Sequence, residues 1–167
     1  MSSLLKITPN LWFDHQAEEA AAFYTSIFKN STIKRTTRYG KAGFNKHGKT
    51  AGTVMSVEFS IEGQTLIALN GGPRFKFNES VSFIVNCDSQ DEINYYWSRL
   101  SEDTDPDAQK CGWIKDKYGL SWQIVPAVLH DMIRDPDSIK TQNVINELFK
   151  MSKIDIATLK EAYDSAV

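Results

Sequence analysis

The chain has 167 residues, with 19 lysines and arginines against 21 aspartates and glutamates, so its formal net charge is −2. This length suits one domain or two small modules that share a core, and a nucleic-acid-binding protein would normally be clearly basic. Because no apolar run could span a membrane and no secretory signal or disulfide scaffold is evident, we expect a cytoplasmic globular protein without membrane or nucleic-acid partners.

The first part of the chain predicts a β-α-β-β-β module over residues 4–70. Residues 4–13 alternate apolar side chains and predict a strand, in which Pro9 marks a sheet edge or the start of the strand. From Ala20 onward, apolar residues recur at i, i+3, i+4, i+7 and i+8, a spacing that predicts a helix. The four glycines and three lysines of residues 40–52 predict a long mobile loop. Three further strands are predicted over residues 31–39, 54–61 and 65–69.

The same order of elements begins again over residues 80–126. Ser89 and Glu92 form a capping box that predicts the start of a helix. Gly63 and Gly119 each stand at the tip of a predicted hairpin with a similar apolar pattern after it, so we predict a second β-α-β-β-β module that arose by internal duplication. Strands are predicted over residues 81–87, 111–115 and 120–125.

Residues 127–167 predict a helical tail. Asp135 and Pro136 suit the N-cap and first position of a helix that runs through about residue 151, and Asp155 suits the N-cap of another. No linker separates these parts. The sequence therefore predicts an α+β fold in which residues 1–167 form a single domain of two modules and a tail.

Three segments resemble the PhnB-like family, which also carries the name 3-demethylubiquinone-9 3-methyltransferase and lies within the glyoxalase/bleomycin-resistance (vicinal oxygen chelate) superfamily. They are LWFDHQAEEA at residues 11–20, NGGPRFKFNE at residues 70–79 and CGWIKDKYGLSWQIVP at residues 111–126. The resemblance extends over about residues 7–163. It implies a glyoxalase-like fold in which each module curls its sheet into a half-open cup for a small molecule, assembled as a homodimer.

The resemblance also implies where a metal would bind, because metal-using relatives place their ligands on the first and last strands of each module. The equivalent positions here are Thr8, Ala68 (or Asn70 after a shift of two residues), Ser80 and Gln123. Imidazoles and carboxylates are the usual ligands of such a site, and none of these side chains is either. We therefore expect no metal site and no tightly bound metal cofactor. S-adenosylmethionine is also not expected, since the chain has no G-x-G turn.

The connection between the modules holds one group of candidate ligand-binding residues. Asn70 and Asn78 would supply orienting hydrogen bonds, and Phe75 and Phe77 would form apolar walls. Two adjacent glycines in this connection would let backbone approach a ligand. A plain turn between modules, in which the glycines only supply positive φ, is an equal alternative.

The second module holds the other group of candidates. Trp113 and Trp122 on neighbouring strands predict an aromatic floor, and Gln123 is predicted to project into the cup. The alternative places Trp122 in the core and leaves the Gln123 amide bonded inside the protein. Cys111 is predicted to line the cup as a small thiol, because no base that would activate it as a nucleophile stands near it in sequence.

Catalytic residues are not assigned by the sequence, since no two of the three histidines share a ligand or triad spacing. A general base would have to be Glu58, Asp116 or Tyr118, which also have ordinary strand or turn explanations. The stretch between Glu19 and Glu58 has basic residues and no acid. It indicates either attraction for an anionic molecule or, more simply, a solvated hairpin.

These observations predict a small-molecule-binding protein and leave its chemistry open. As an enzyme of the lyase, isomerase or transferase type, it would be metal-independent or would bind a metal only together with its substrate. Alternatively, it would sequester a drug or metabolite. A third alternative is a regulatory or structural dimer whose own side chains fill the cup. The methyltransferase activity in the family name is disfavoured by the missing cofactor motif.

Overall fold

The computed structural model describes residues 6–165, which divide into two compact units at residues 76 and 77. The first unit contains β1 (Asn10–Phe13), α1 (Ala17–Ile27), β2 (Thr32–Arg38), α2 (Phe44–His47), β3 (Val54–Ile61) and β4 (Gln64–Asn70). The second contains β5 (Ser82–Cys87), α3 (Gln90–Leu100), β6 (Trp113–Lys115), β7 (Ser121–Pro126), α4 (Ala127–Met132), α5 (Ser138–Leu148) and α6 (Ile156–Asp164). The α+β fold class predicted from the sequence is confirmed.

In the first unit, four strands form one sheet in the order β1-β4-β3-β2, and β1 is parallel to β4 while the other pairs are antiparallel. Helix α1 packs on one face of this sheet. Because side chains alternate between faces along a strand, Val57 and Phe59 are buried on that face with Leu66 and Ala68. The intervening residues of β3 and β4 lie on the other face.

The first strand is shorter than predicted. The prediction covered residues 4–13, of which residues 4 and 5 lie outside the described part, whereas β1 begins at Asn10. Pro9 stands immediately before the strand, and its carbonyl accepts a hydrogen bond from the Ile67 amide at 3.0 Å. A proline lacks an N–H for the ladder, so the strand-start interpretation of Pro9 is the one that holds.

Residues 40–52 connect β2 and β3 and contain a helical turn that the loop prediction lacked. Helix α2 is one turn long, and the flanking Gly43 and Gly48 both have positive φ. The base of the connection is closed by the Tyr39 amide, which donates to the Thr53 carbonyl at 2.9 Å. The glycines thus permit a tight local structure here.

In the second unit, three strands form a sheet in the order β5-β7-β6. This sheet has one strand fewer than the sheet of the first unit. Residues 101–109 form no strand and contain only a 3-10 turn at Pro106–Ala108. Four acids occupy residues 101–107 and no apolar side chains alternate there, so this segment could not bury one face of a strand.

Helix α3 begins as the capping box predicted. The Ser89 hydroxyl accepts from the Glu92 amide at 3.2 Å, and the Glu92 carboxylate accepts from the Asp88 amide at 2.8 Å. The helix buries Ile93 and Leu100, and it packs against β5 and β7. One face of the second sheet is therefore covered by α3.

The tail forms helices α4 to α6 around a separate apolar cluster, whose members are Val125, Leu129, Met132, Val144, Ile154 and Leu159. Asp155 caps α6 as predicted, since its carboxylate accepts from the Thr158 amide at 2.8 Å. The predicted cap of α5 was wrong by two residues. Asp137 rather than Asp135 accepts from the Ile139 amide at 2.9 Å. Within residues 6–165, no helix has the length and apolar character needed to cross a membrane.

Candidate functional site

A groove of about 540 Å³ runs beside β6, the edge strand of the second sheet. We call it the β6 groove. Sites for small organic molecules usually have volumes of about 300–1,000 Å³, so the groove is large enough for one. Its lining includes Glu79, Cys111, Trp113, Lys115, Ser121 and Phe149.

The register of β6 and β7 decides which side chains share the uncovered face of this sheet. Trp113 lies opposite Gln123, and Lys115 lies opposite Ser121, so these residues project to the same face. Trp122 lies opposite Ile114 and projects to the other face. Only one of the two predicted floor tryptophans can therefore face a ligand on the open side.

Trp122 lies in the core, where the alternative interpretation placed it, and its assignment to the ligand-binding group stays a prediction without support from this position. Its side chain is only 2% exposed, and its indole N–H donates to the Asp116 carboxylate at 2.9 Å. Asp116 also accepts from the Tyr118 and Leu120 amides at 2.9 and 3.0 Å. The carboxylate of Asp116 thus stabilises the hairpin turn, which agrees with the turn role that the sequence offered for this residue.

Ser121 is the residue of the groove that the sequence did not single out. It is 1% exposed, and its hydroxyl has no hydrogen-bond partner within the described part of the chain. A buried hydroxyl without a partner costs about 1–3 kcal/mol, so a ligand group that reached it would relieve this cost. Its position two residues before Gln123 on the same strand face was the signal that could have found it.

Gln123 lies on the open face and is half-buried, and its amide donates to the Ser82 hydroxyl at 2.8 Å. This bond matches the alternative in which the amide is satisfied inside the protein. The carbonyl oxygen of the same amide is a further acceptor. A ligand-facing role for Gln123 stays a prediction.

The charges around the groove balance. Glu79 and Asp107 are matched by Lys110 and Lys115, and Lys115 forms an ion pair with Glu79. The hydrogen bond from Lys115 is the main reason why the pKa of the Glu79 carboxyl lies below its usual value. The groove therefore offers no excess charge for an anion or a cation.

The two cysteines are both free and differ in their surroundings. Burial, and then the charges of Glu92 and Asp88, raise the pKa of the Cys87 thiol to about 12. Cys111 is half-buried, lines the groove and has φ of 52°. This left-handed backbone explains why β6 begins at Trp113 and not at residue 111 as predicted.

Asn70 has a role in the fold of the first unit, and its assignment as an orienting ligand group stays a prediction. It is 7% exposed, accepts from the Ala17 amide at 2.8 Å and donates to the Val54 carbonyl at 3.1 Å. These bonds join β4 to the start of α1 and to β3. Asn70 also borders a cavity of about 500 Å³ that His15 and Lys49 line.

The remaining connection residues belong to different units. Phe75 of the first unit is 54% exposed and packs edge-on against Trp12, with ring centroids 5.1 Å apart. Phe77 of the second unit is half-buried, and Asn78 accepts from the Ser80 amide at 3.0 Å, as in an ordinary turn. Of the predicted ligand-binding residues, the structure brings Cys111 and Trp113 together in the β6 groove.

Two of the positions that the family resemblance implied for metal ligands lie on the covered face of the first sheet. Ala68 is fully buried on the face that α1 covers, and Asn70 has the same parity, so neither could face an open cup. The open-face residue that corresponds to Gln123 is Ile67. Residues 6–165 contain no cluster of three His, Cys, Asp or Glu side chains. This donor set does not fit a divalent ion.

Residues 5–125 match the model of a protein family described as 3-demethylubiquinone-9 3-methyltransferase. A PhnB protein from Bacillus cereus, described as a candidate 3-demethylubiquinone-9 3-methyltransferase, is 34% identical; the match covers 74% of this chain and 100% of that chain, with a TM-score of 0.61. Protein PA1353 from Pseudomonas aeruginosa shares the fold at 18% identity, covering 74% and 98% of the two chains with a TM-score of 0.52. The fosfomycin resistance protein FosX from Listeria monocytogenes is 16% identical, covering 81% and 100%, with a TM-score of 0.48. No curated protein matches the chain.

Proposed function

This chain belongs to the PhnB-like 3-demethylubiquinone-9 3-methyltransferase family, and from that premise we propose that it binds a small, uncharged organic molecule in the β6 groove. The observation that carries the proposal is the Ser121 hydroxyl, which is buried at the groove and has no partner within the described residues. A ligand hydroxyl or carbonyl would satisfy it and recover the cost of its burial.

The other walls of the groove indicate what the rest of the ligand is like. Trp113 and Phe149 present aromatic surface, and the balanced charges give no reason for an ionic ligand. Aromatic pairs contribute about 0.5–1.5 kcal/mol beyond the area that they bury. The fitting ligand is therefore a largely apolar molecule with one hydrogen-bonding group, for which naphthol is a suitable probe.

We propose sequestration rather than catalysis as the role of this binding. The low pKa of Glu79 keeps its carboxylate ionised and makes it a weak base, and the pairing with Lys115 occupies it further. We also propose that no tightly bound metal takes part, since the donor set described above is poor. Elemental analysis of protein purified without chelators would contradict this if it found near-stoichiometric zinc, nickel or manganese.

The binding proposal is tested by titrating naphthol and naphthalene into the protein and following amide shifts by NMR. Ser121→Ala is expected to weaken naphthol about five-fold, the value of one hydrogen bond, and to leave naphthalene unchanged. Thr65→Ala, at the corresponding position of the first unit, is the matched control and should change neither. The proposal fails if naphthol does not bind at millimolar concentration or if Ser121→Ala binds it as the parent protein does.

The methyltransferase activity in the family description is a second candidate that the residues do not favour. No glycine-rich strand-to-helix turn is available to hold S-adenosylmethionine in the usual way. We expect isothermal titration with S-adenosylmethionine at millimolar concentration to give no binding heat. A saturable heat would restore this candidate.

We further propose that the protein is a cytoplasmic homodimer. The free thiols of Cys87 and Cys111 fit a reducing compartment. Native mass spectrometry of freshly purified protein would report the dimer and a co-purified ligand together. A monomer at micromolar concentration would contradict the dimer, and recovery from a secreted fraction would contradict the compartment.

A further inference from the structure

The helical tail lies beyond the family match, which ends at residue 125, yet it supplies part of the β6 groove. We infer that the tail sets the ligand preference of the groove and selects flat aromatic molecules through Phe149. This inference rests on the proposed binding function. Phe149 would determine which ring systems bind in the groove, whereas the Ser121 hydroxyl would hold a polar group of the ligand.

Phe149 is placed at the groove by the end of α5. Its backbone N–H closes the last turn of that helix on the Ile145 carbonyl at 3.1 Å, so the ring projects from an ordered position. The ring is nevertheless 65% exposed. A large aromatic side chain with this much free surface beside a groove can cover a ligand without moving anything already packed.

The chain that follows Phe149 is fastened to the segment leading into β6. The amides of Cys111 and Gly112 donate to the carbonyls of Met151 and Ser152, each at 2.8 Å. A Cβ added to Gly112 would lie 2.8 Å from the Ile154 side chain, so only glycine permits this approach. The tail thereby positions the backbone immediately before Trp113.

A second attachment holds the same part of the tail to α3. The side-chain amide of Gln90 donates to the Ile154 carbonyl at 3.1 Å. The side-chain oxygen of Gln90 accepts from the backbone amide of Ile156 at 2.9 Å. The two attachments fix the backbone of residues 151–156, shortly after Phe149, against the segment before Trp113 and against α3. Two aromatic surfaces held in this way favour a planar ligand over a puckered one of equal size.

The test compares naphthol with its fully saturated analogue decalinol, which has the same carbon skeleton and hydroxyl but is not flat. We expect the parent protein to bind naphthol about ten-fold more tightly, from ring contacts on both sides. Phe149→Leu should lower this preference about three- to five-fold, because it keeps an apolar side chain and loses the ring. Ile139→Ala, which truncates another exposed apolar residue of α5, is the control and should leave the preference unchanged.

The outcomes separate this inference from the binding function. If the parent protein binds naphthol but Phe149→Leu keeps the full preference for it, the tail does not select the ligand and the proposed binding function still stands. If Ile139→Ala lowers the preference as much as Phe149→Leu, the effect does not come from the groove and the inference is overturned. If neither alcohol binds the parent protein at millimolar concentration, both proposals fail.

Discussion

The β3–β4 hairpin of the first unit and the β6–β7 hairpin of the second are stabilised by different interactions. The first is joined at the surface by Glu62 and Gly63, with φ of 44° and 81°, and β3 is eight residues long. In the second, β6 is three residues long and the buried Asp116 holds the turn. A short strand makes few ladder hydrogen bonds. In the second unit, the buried side chain of Asp116 and the tail therefore replace the missing ladder hydrogen bonds.

The largest effect that would test this comparison is the loss of the Asp116 carboxylate. Asp116→Ala leaves two backbone amides and the Trp122 indole without their acceptor in a buried site, so we expect a loss of about 3 kcal/mol in the free energy of unfolding. Glu62→Asn in the first hairpin should change stability by less than about 1 kcal/mol, since asparagine tolerates positive φ. Urea unfolding measures both. Equal effects would mean that the two turns do not differ as described.

The next effect separates backbone conformation from packing against the tail. Gly112 and Gly119 have nearly the same φ, 82° and 84°, but a Cβ on Gly112 meets Ile154 and the Ile124 carbonyl while one on Gly119 meets nothing within 4 Å. We expect Gly112→Ala to lower the free energy of unfolding by about 2–3 kcal/mol and Gly119→Ala to lower it by about 1 kcal/mol. Thermal unfolding of the two variants provides the test. Equal losses of stability in the two variants would mean that the close approach of the tail to Gly112 does not affect stability.

A smaller effect compares the two asparagines that flank the connection between the units. Asn70→Ala removes the acceptor of the Ala17 amide and the donor to the Val54 carbonyl, so we expect a loss of about 2 kcal/mol. Asn78→Ala acts at an exposed turn and should cost less than about 0.5 kcal/mol. Chemical unfolding of both variants checks this. An unchanged stability in Asn70→Ala would mean that these two hydrogen bonds contribute little to the stability of the fold.

The smallest effect lies in the tail and depends on pH. The hydrogen bond from the Tyr163 hydroxyl is the main cause that holds the pKa of Asp135 below its ordinary value of 3.8, so the bond stabilises the fold above that pH and its contribution is lost as the pH falls further. Tyr163→Phe keeps the ring and removes the bond. The small stability difference between the parent and this variant should therefore shrink in acid. Unfolding measured from pH 7 downward would contradict the assignment if the difference stayed constant.

The same bond acts in the opposite direction at high pH. It raises the pKa of Tyr163 above its ordinary 10.0, so this contribution is present below that pH and is lost as the pH rises through the higher value. A spectrophotometric titration of the tyrosines follows this ionisation. Asp135→Asn should bring the titration of Tyr163 to lower pH.

Local signals in the sequence predicted the parts of the fold that depend on neighbours in the chain. Ser89 with Glu92 and Asp155 marked helix starts correctly, because an N-cap bonds to amides two or three residues away. The cap of α5 was misplaced because Asp135 and Asp137 both precede the helix, and only the folded backbone decides between them. A fourth strand in the second unit was expected only from analogy with the first unit, whereas the acidic residues 101–107 themselves indicate a solvated loop.

The candidate site was harder to predict, because it depends on which face of a strand a residue occupies. A shift of one residue separates Ala68 on the covered face from Ile67 on the open one, and the same parity sends Trp122 to the core and Trp113 to the groove. Ser121 carried no motif and was overlooked. Phe149 reaches the groove from a different helix, through a packing arrangement that no local pattern records.

Strand β2 is one edge of the first sheet, and this position gives the basic residues of the strand a role that does not involve a ligand. Lys34, Arg35 and Arg38 lie exposed along this strand, whose pairing with β3 is irregular at two points. An open strand edge invites pairing with the same edge of another molecule, and like charges and irregular register oppose it. These features oppose pairing between copies of the protein through the β2 edge, and we expect the proposed homodimer to form through another surface.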